Sequence, residues 1–418
     1  MAEPVIVAAT RSPIGRAYKG SLVEVRPDDL AAEIVTAALA QVPALDPAEV
    51  EDLMLGCGLP GGEQGFNMGR VVSVLAGLPG VPGLTLTRYC ASSLQTIRMA
   101  AHAIRAGEGD VFVAAGVEAV SRFTKGSSDS HPDTMNPRFA EAGERTARRA
   151  RGGAGVWNPP GPDPAAGPAT PGADPETLPD IYIAMGQTAE NVADIEGVTR
   201  EEMDAFALRS QTRAVAAQSD GFFQREITPV RLADGTVVTD DDGPRPDTSI
   251  EKLAALQPVF RPDGRVTAGN ACPLNDGAAA VVVMSDTRAG ELGVTPLARI
   301  VSSAVSALHP EIMGLGPIEA SRAALKRAGL TVDDVDLVEI NEAFAAQVIP
   351  SARALGVDED KLNVHGGSIA LGHPFGMTGA RIMTTLLNGL ATTDATIGLE
   401  TMCVGGGQGM AMVVERLS

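Results

Sequence analysis

The order of strand and helix segments in the N-terminal part of the chain recurs near its end. Asp52 opens a short apolar segment and Asp336 opens a similar one 284 positions later (336 − 52). Asp110 and Asp394, which open the next apolar segment of each set, are separated by the same 284 positions (394 − 110). The matching order predicts an internal duplication. Two similar α/β halves would place equivalent strand-to-helix junctions face to face across a pseudo-twofold axis.

Within each half, short apolar runs alternate with amphipathic segments. Residues 5–9 and 52–55 are predicted strands, and residues 29–40 form a predicted helix whose apolar positions share one stripe. After Cys90, apolar residues recur at helical intervals up to Gly107, a suitable C-cap. This alternation predicts an α/β fold with parallel strands buried between helices.

The segment between the halves is irregular. Residues 152–175 contain 13 glycines and prolines, a composition typical of a loop. Residues 185–217 are predicted to be helical, and the run from Asp240 to Asp242 is expected to be a solvated turn. Four arginines before the loop are expected on a solvated helix face: Arg145, Arg148, Arg149 and Arg151.

Charge and composition narrow the class of protein. The formal net charge is −19, so no basic face is available for a phosphate backbone and nucleic acid is not expected as a partner. The sequence shows no export signal, no lipidation motif and no apolar stretch long enough to span a bilayer. A cytoplasmic protein without a membrane partner is therefore expected.

Four cysteines are spread along the chain: Cys57, Cys90, Cys272 and Cys403. No Cys-x-x-Cys pair occurs, which argues against a zinc site or a thioredoxin-like centre, so no metal is expected. A disulfide framework is not expected in a protein without an export signal. Cys57, in an apolar segment with glycines on both sides, is predicted to be a small buried residue.

Cys90 stands where a predicted helix begins. Unpaired backbone N–H groups and the helix dipole favour an anion there, so we expect a lowered thiol pKa and an exposed sulfur atom. The same N–H groups can bind the oxyanion of an acyl-enzyme. A single cysteine at a helix start is nevertheless more often structural than catalytic.

His373 lies within residues 366–376, a turn rich in glycine. We expect a histidine between glycines and proline to sit on a rigid turn with little side-chain cover. The chain has only five histidines, so candidates for a general base are few. His102 is expected on a helix without a catalytic role, and His365 is a candidate for supporting the site.

Cys403 precedes the run Gly405-Gly406-Gly407-Gln408-Gly409. This run is not a dinucleotide fingerprint, because Met410 occupies the position that the third glycine would need. Glycines here would let the backbone approach a ligand closely and offer an N–H group to an oxyanion. Alone, the run would be interpreted as a turn into a strand.

Taken together, these motifs resemble the thiolase family over residues 5–416. The N-terminal matches include Thr10-Arg11-Ser12-Pro13-Ile14-Gly15 and the Cys90 motif. The middle of the chain contributes Met185-Gly186-Gln187-Thr188-Ala189-Glu190-Asn191 and Thr267-Ala268-Gly269-Asn270. Asn341-Glu342-Ala343-Phe344, Gly372-His373-Pro374 and the Cys403 motif follow in the family's order.

The resemblance implies acyl transfer by Claisen chemistry on 3-ketoacyl-CoA in lipid metabolism. Cys90, ionised by His373, would attack the keto carbon, and Cys403 would protonate the departing acetyl-CoA carbanion. A second CoA thiol would then take the acyl group, and the reverse sequence would condense two acetyl-CoA molecules. The implied oxyanion holes are the N–H groups of Cys90 and Gly405, and His373 with a water held by Asn341.

The resemblance also implies the remaining site residues and the co-substrate. Coenzyme A would be a co-substrate, with no permanently bound cofactor, and the protein would be a homodimer or a homotetramer. Substrate and CoA contacts are implied for seven residues: Met185, Arg245, Phe260, Ala271, Cys272, Met313 and Phe344.

The implied fold has five layers, α-β-α-β-α, built from two duplicated α/β halves with an inserted cap. Residues 1–119 and 275–295 would form the N-terminal half, residues 120–274 the cap and residues 296–418 the C-terminal half.

Three departures from the family pattern bear on substrate range. Many relatives carry glycine where Ser93 stands, Ala184 replaces a histidine found in some acetoacetyl-specific members, and Cys272 replaces a serine that contacts CoA. A decarboxylating β-ketoacyl synthase-like enzyme is one alternative, but such enzymes lack a second cysteine like Cys403. A non-catalytic, lipid-binding relative is the other.

Overall fold

The computed structural model describes residues 2–125, 134–153, 155–158 and 178–418. Its twelve described strands are β1 (Pro4–Arg11), β2 (Gly15–Arg16), β3 (Asp52–Cys57), β4 (Gly83–Leu86), β5 (Val111–Ala119), β6 (Val230–Arg231), β7 (Val237–Val238), β8 (Asn275–Ser285), β9 (Ala298–Ala307), β10 (Leu337–Ile340), β11 (Ile397–Val404) and β12 (Gln408–Arg416).

The described helices are α1 (Pro27–Ala40), α2 (Met68–Leu75), α3 (Ser92–Ala106), α4 (Ala140–Arg149), α5 (Met185–Ile195), α6 (Arg200–Ser219), α7 (Ile250–Ala254), α8 (Asp286–Leu292), α9 (Gly316–Ala328), α10 (Ala345–Leu355), α11 (Ser368–Leu371) and α12 (Thr378–Thr392). In this part of the chain no helix is long and apolar enough to cross a membrane.

The strands join in the order β10-β11-β12-β9-β1-β8-β5-β3-β4, with β2 beside β8. Reading outward from the β9–β1 contact, each half presents its strands in equivalent order. β9, β12, β11 and β10 of one half match β1, β8, β5 and β3 of the other. The contact itself involves only Val5 with Arg299 and Ile6 with Ala298. The element order thus has the duplicated form that the sequence predicts.

The prediction of parallel strands is only partly right. β3 runs parallel to β4 and β5, and β10 runs parallel to β11. β8, however, is antiparallel to both β1 and β5, and β12 is antiparallel to β11 and β9. β8 follows the long segment 120–274 and β12 follows a three-residue turn, so neither strand is the product of a strand–helix–strand crossover.

Alternating side chains divide the core into layers. Ile6 and Val281 face a central apolar cluster with α3 and α12, while Val5 and Val282 face an outer cluster with α1 and α2. In the C-terminal half, β12 contributes alternate residues to the central cluster and to a third cluster with α9 and α10. The order of layers is therefore α-β-α-β-α, which confirms the predicted five-layer fold.

The two central helices approach each other closely. A Cβ atom at Gly379 would collide with the backbone nitrogen of Leu94, so only glycine allows α12 to lie this near α3. Ser93, at the position where many relatives carry glycine, accepts a 2.9 Å hydrogen bond from the N–H of Ala380. The serine therefore pairs an otherwise unsatisfied N–H in the first turn of α12.

Asp241 corrects the expected solvated turn at residues 240–242. Its carboxylate is buried and binds both terminal nitrogens of Arg11, at 2.7 and 2.9 Å. Asp242 accepts hydrogen bonds from the backbone N–H groups of Arg16 and Ser21. The acidic run thus pairs a buried arginine at the end of β1 and holds the turn that follows, because a buried guanidinium needs a carboxylate partner.

Other middle-chain predictions have mixed outcomes. The predicted helix 185–217 is two helices, α5 and α6, because Gly197 adopts a φ of +64° and Thr199 then caps α6.

Of the four arginines predicted on a solvated helix face, Arg148 and Arg151 are exposed, while Arg149 is half-buried 3.6 Å from Asp194. Within the predicted loop 152–175, position 154 and positions 159–175 lie outside the described residues.

Candidate active site

One cavity of about 630 Å³ brings most of the predicted site together. Cys90 and His373 line it from the N-terminal and C-terminal halves respectively. The seven residues predicted to contact substrate or CoA all line it as well: Met185, Arg245, Phe260, Ala271, Cys272, Met313 and Phe344.

Backbone pairing fixes one wall of this cavity. Ala271 forms a β-bridge with Phe344, and the N–H of Cys272 donates to the carbonyl of Ala343 at 3.0 Å. Phe260 packs edge-on against Phe344, with the ring centroids 6.2 Å apart. Sequence positions about 70 apart thereby form one apolar surface.

Cys90 lies in a single 3₁₀ turn, Tyr89–Ala91, that leads into α3. Tyr89 has a left-handed φ of +44°, a strained conformation of the kind found at functional turns. Cys90 is only 8% exposed, contrary to the expectation that its sulfur atom would be exposed. Burial raises the pKa of the Cys90 thiol to about 12, and hydrogen bonds from the N–H groups of Cys90 and Gly405 oppose that rise. The expected lowering of this pKa is therefore wrong, because the desolvation cost exceeds the effect of the N–H groups.

Gly405 belongs to the turn that joins β11 to β12. Gly406 and Gly407 have φ values of +77° and +78°, and a Cβ atom at Gly407 would collide with the carbonyl oxygen of Leu308. The N–H of Gly405 lies near enough to the Cys90 sulfur to lower its pKa. Two N–H groups from different halves therefore lie beside this sulfur atom, where they can reach the oxygen of an acyl group bound to it.

His373 is buried at 1% exposure, which corrects the expectation of little side-chain cover. Its Nε2 lies 3.2 Å from Asn341 Nδ2 and its Nδ1 lies 2.6 Å from Thr378 Oγ1. Burial lowers the pKa of His373 to about 3, with the charge of Arg381 acting in the same direction. The ring is therefore neutral near pH 7 and has a lone pair with which to accept a proton.

Asn341 follows β10, and its backbone N–H donates to Thr401 at 3.0 Å. Its side-chain oxygen lies 2.6 Å from Ser368 Oγ, which leaves the amide nitrogen facing His373. His365, by contrast, stacks on Phe222 with centroids 3.6 Å apart and supports a different part of the core. His102 is exposed on α3.

Cys403 is fully buried near the end of β11, in the same apolar cluster as Ala271, Met313 and Phe344. Burial raises the pKa of its thiol well above the usual value, and the charges of Cys90 and Cys272 raise it further. Cys403 is thus a protonated thiol close to Cys90. Cys57 is also buried, as predicted, 3.8 Å from Glu118.

Sequence reasoning missed Glu118. This buried carboxylate accepts from the N–H groups of Gly58, Leu59 and Gly376, at 2.7, 3.2 and 2.8 Å, and from Gln64 Nε2. It ties a loop of the N-terminal half to the turn that carries His373. The sequence feature that could have identified Glu118 is that it is a lone carboxylate near the end of the apolar strand β5.

A second cavity of about 560 Å³ meets the first at Cys90, Met185 and Phe375. Its other walls are mostly apolar: Leu59, Tyr89, Met135, Ile181, Tyr182 and Ile183, with Thr134, Gly405 and Gly406. Cys90 therefore lies where two cavities join. Among the described residues, no group of three His, Cys, Asp or Glu side chains is placed to hold a metal ion.

Comparison with known proteins agrees with this geometry. Residues 4–148 and 174–287 match the N-terminal domain of thiolases, and residues 294–416 match the C-terminal domain. This chain belongs to the thiolase family. The match covers the duplicated halves and the residues that line both cavities.

Individual relatives of this thiolase-family protein match along their whole lengths. The 3-ketoacyl-CoA thiolase of Bacillus subtilis is 41% identical, covering 99% of this chain and 100% of the relative. The 3-ketoacyl-CoA thiolase of Marinomonas sp. is 44% identical, and the match covers 99% of this chain and 98% of the relative. Among solved structures, Bacillus anthracis acetyl-CoA acetyltransferase superposes with a TM-score of 0.83 at 38% identity. The superposition covers 100% of this chain and 99% of that structure's chain. Human mitochondrial 3-ketoacyl-CoA thiolase gives 0.82 at 35% identity, covering 99% of each chain.

Proposed function

We propose that this chain is an acetyl-CoA C-acyltransferase that cleaves or forms the C–C bond of 3-ketoacyl-CoA in lipid metabolism. The observation that carries the proposal is the cavity that Cys90 shares with the neutral imidazole of His373, with the N–H groups of Cys90 and Gly405 beside the sulfur and the thiol of Cys403 buried nearby. Cys90 supplies the nucleophile, His373 a base, Cys403 an acid, and Cys90 and Gly405 the N–H groups. Among the described residues, this is where a covalent acyl group would be both formed and stabilised.

In the cleavage direction, His373 takes the proton of Cys90 and the sulfur attacks the 3-keto carbon. The bond between C2 and C3 breaks, its electron pair stays on C2, and the protonated thiol of Cys403 delivers a proton to that carbon. Acetyl-CoA leaves and the acyl group remains on Cys90. The thiol of a second CoA then attacks the thioester carbon, its proton restores Cys403, and the proton held by His373 returns to Cys90.

The mouth of the larger cavity suits the phosphates of coenzyme A. Arg16, Lys19 and Arg245 line it, although the chain as a whole carries a net charge of −19. Partial burial lowers the pKa of Arg245, and the positive charge of Arg16 lowers it further, as expected for two guanidinium groups that face the same space. We infer that acetyl-CoA, 3-ketoacyl-CoA and free CoA bind here as exchanging substrates, with their pantetheine arm toward Cys90.

The two alternative functions fit the site less well. A decarboxylating synthase has no use for a second buried thiol beside the nucleophile, and Cys403 occupies that place. A non-catalytic relative would not need N–H groups from both halves directed at one sulfur atom.

The second cavity supports acyl chains longer than acetoacetyl. It opens from Cys90 on a side distinct from the arginine-lined mouth, so an acyl group on the sulfur would extend into it while CoA occupies the first cavity. Its apolar walls would stabilise a hydrocarbon chain by about 0.8 kcal/mol for each buried methylene. We infer that the substrates include 3-ketoacyl-CoA with at least several carbons beyond the keto group.

CoA-dependent cleavage of acetoacetyl-CoA and 3-ketodecanoyl-CoA tests the function and the chain length together. Both should be cleaved, with kcat/KM at least about tenfold higher for the longer substrate. Ile183→Trp should lower kcat/KM for 3-ketodecanoyl-CoA by about tenfold, because the indole fills the second cavity, and leave acetoacetyl-CoA within about threefold.

Val237→Trp is the matched control, because it adds the same side chain on the exposed β7 strand. It should leave kcat/KM for both substrates unchanged. Cleavage of neither substrate by the wild-type protein would overturn the proposed function. A preference for acetoacetyl-CoA would overturn only the acyl-chain assignment.

We also propose a homodimer or tetramer that assembles through the N-terminal half. β4 ends the sheet, and among the described residues no strand pairs with its outer edge. Asn67 donates a side-chain hydrogen bond to the carbonyl of Gly83 in β4, and the preceding residue, Phe66, is 99% exposed. Three apolar residues of α2 are also exposed: Val71, Val74 and Leu75. An unpaired edge beside an apolar patch is a typical site for a twofold contact.

Light scattering should therefore give at least twice the chain mass of 42.9 kDa at micromolar concentration. Phe66→Asp with Leu75→Glu should shift the protein toward monomer, since two charges would be buried in the contact. Leu417→Glu, at another exposed apolar position, should leave the mass unchanged. A stable wild-type monomer would contradict the proposal.

We propose residues 1–119 with 275–295, residues 120–274 and residues 296–418 as the N-terminal half, the inserted cap and the C-terminal half. We propose the cytoplasm as the place of action.

A further inference from the structure

A chain of hydrogen bonds runs from a buried arginine to the imidazole of His373. Arg381 Nη2 donates to Ser368 Oγ at 2.7 Å, and Ser368 Oγ lies 2.6 Å from Asn341 Oδ1. Asn341 Nδ2 lies 3.2 Å from His373 Nε2. All four side chains are buried, so bulk water does not compete for these bonds.

The other ring nitrogen of His373 is also bound. Nδ1 lies 2.6 Å from Thr378 Oγ1 at the start of α12, and Thr378 Oγ1 lies 2.8 Å from the carbonyl oxygen of Pro374. The backbone N–H of His373 donates to Asn275 Oδ1 at 3.0 Å, which fixes the main chain. Each ring nitrogen thus has one buried side-chain partner.

Arg381 determines the direction of each hydrogen bond in this chain of bonds. A guanidinium group only donates, so Ser368 Oγ accepts from Arg381 and its own proton points to Asn341 Oδ1. The amide nitrogen of Asn341 is then turned toward His373 and donates to Nε2.

A ring nitrogen that accepts a hydrogen bond carries no proton. The proton of the neutral ring of His373 is therefore on Nδ1 and is donated to Thr378 Oγ1, whose hydroxyl donates to Pro374. In the opposite orientation of the amide, Asn341 would be a second donor to Ser368. The serine proton would then have no acceptor within this chain of bonds, which is costly for a buried hydroxyl.

Two buried glutamates interact electrostatically with Arg381. Glu339 and Glu400 occupy paired positions on β10 and β11, on the same face as Leu337 and Met402, which pack in the central cluster with α12. Burial lowers the pKa of Arg381, and the charge of Glu339 opposes that fall. Burial raises the pKa of Glu400, and the charge of Arg381 opposes that rise. A guanidinium group has no acceptor atom, so Arg381 can act only as a donor at the head of the chain of bonds.

We propose that Arg381, Ser368 and Thr378 are positioning residues that hold His373 as the Nδ1-protonated tautomer. The proposal rests on the proposed thiolase function, in which His373 receives the proton of Cys90. When the Nε2 lone pair gives up its hydrogen bond from Asn341, the ring accepts that proton there and becomes imidazolium. Nδ1–H remains bound to Thr378, and the new Nε2–H can donate to a substrate oxygen until the proton returns to sulfur.

The tautomer of His373 can be measured without an enzymatic assay. Protein labelled with ¹⁵N-histidine should show a directly bonded proton on Nδ1 of His373 and none on Nε2 between pH 6 and 8, with assignment from the signals lost in His373→Asn. Ser368→Ala should weaken this preference, so that signals of the Nε2-protonated form appear. A wild-type ring protonated on Nε2 would overturn the proposal.

Kinetics of paired threonine variants give the second readout. Thr378→Val should lower kcat for thiolysis at least about tenfold with KM within about threefold, because the imidazole loses its Nδ1 partner while the Pro374 carbonyl keeps the backbone N–H groups of Met377 and Thr378. Thr378→Ser keeps the hydroxyl and should retain activity. Thr384→Val is the matched control, since Thr384 is buried in the same helix and donates to the carbonyl four residues earlier at 2.8 Å, as Thr378 does.

Equal kcat values for Thr378→Val and Thr384→Val would overturn the positioning role. Failure of the proposed function has a different signature, namely a wild-type protein that cleaves no 3-ketoacyl-CoA whatever the tautomer of His373.

Discussion

Replacing Cys90 with alanine is expected to abolish acyl-enzyme formation and to reduce thiolysis by more than about 10⁴-fold. Of the described thiols, the Cys90 sulfur is the one that receives N–H groups from both halves and lies where the two cavities join. Incubation with acetoacetyl-CoA followed by peptide mass spectrometry should place the acetyl group on Cys90 in the wild-type protein. The Cys90→Ala protein should carry none.

Cys57→Ala is the matched control. Cys57 is equally buried but lies against Glu118 and lines neither cavity, so its loss should leave both the adduct and turnover in place. An acyl group found on Cys57, Cys272 or Cys403 in the wild-type protein would contradict the assignment of the nucleophile.

Replacing Cys403 with alanine is expected to separate the two half-reactions. The Cys90 nucleophile remains, so acetyl transfer between acetyl-CoA and labelled CoA should continue. Cleavage of acetoacetyl-CoA needs a proton at C2 and should fall by about 10²–10⁴-fold or more, the usual contribution of a general acid or base. Cys403→Ser should restore little, because a hydroxyl is a far weaker acid than a thiol. Both activities should be measured on the same preparation.

Cys272→Ala serves as the control for this variant. Cys272 lines the larger cavity, which we propose binds CoA, and lies near both thiols, so its loss should change KM for CoA but keep the ratio of the two activities. If folded Cys403→Ala lost acetyl exchange and cleavage equally, the division of roles between the two thiols would be wrong.

Local patterns were enough to predict much of the fold. The apolar stripe at residues 29–40 and the glycine after the Cys90 helix gave α1 and the end of α3 nearly to the residue, because helix faces and C-caps depend on neighbours in sequence. The 284-position offset predicted two similar halves, and the strand order around the β9–β1 contact has that form. Strand direction was less accessible, since β8 follows the long segment 120–274.

The electrostatics of the site depended on partners far apart in sequence. A helix start favours an ionised thiol, but Cys90 is buried, and the cost of desolvation raises its pKa instead. Asp241 has the sequence context of a solvated turn, yet it pairs with Arg11, which lies 230 positions away. Neither burial nor such a partner is recorded in the local sequence.

The sequence by itself determined which chemical groups this protein has and the family to which it belongs. Two thiols outside any metal or disulfide pattern, one histidine between glycines and the order of the motifs were sufficient, because covalent chemistry depends on residue type. Only the tertiary structure decided how those groups are protonated and oriented. It buried His373, turned Asn341 toward it through Ser368 and Arg381, and brought the N–H of Gly405 to Cys90. Desolvation and hydrogen-bond direction arise from tertiary contacts, and those contacts exist only when the chain has folded.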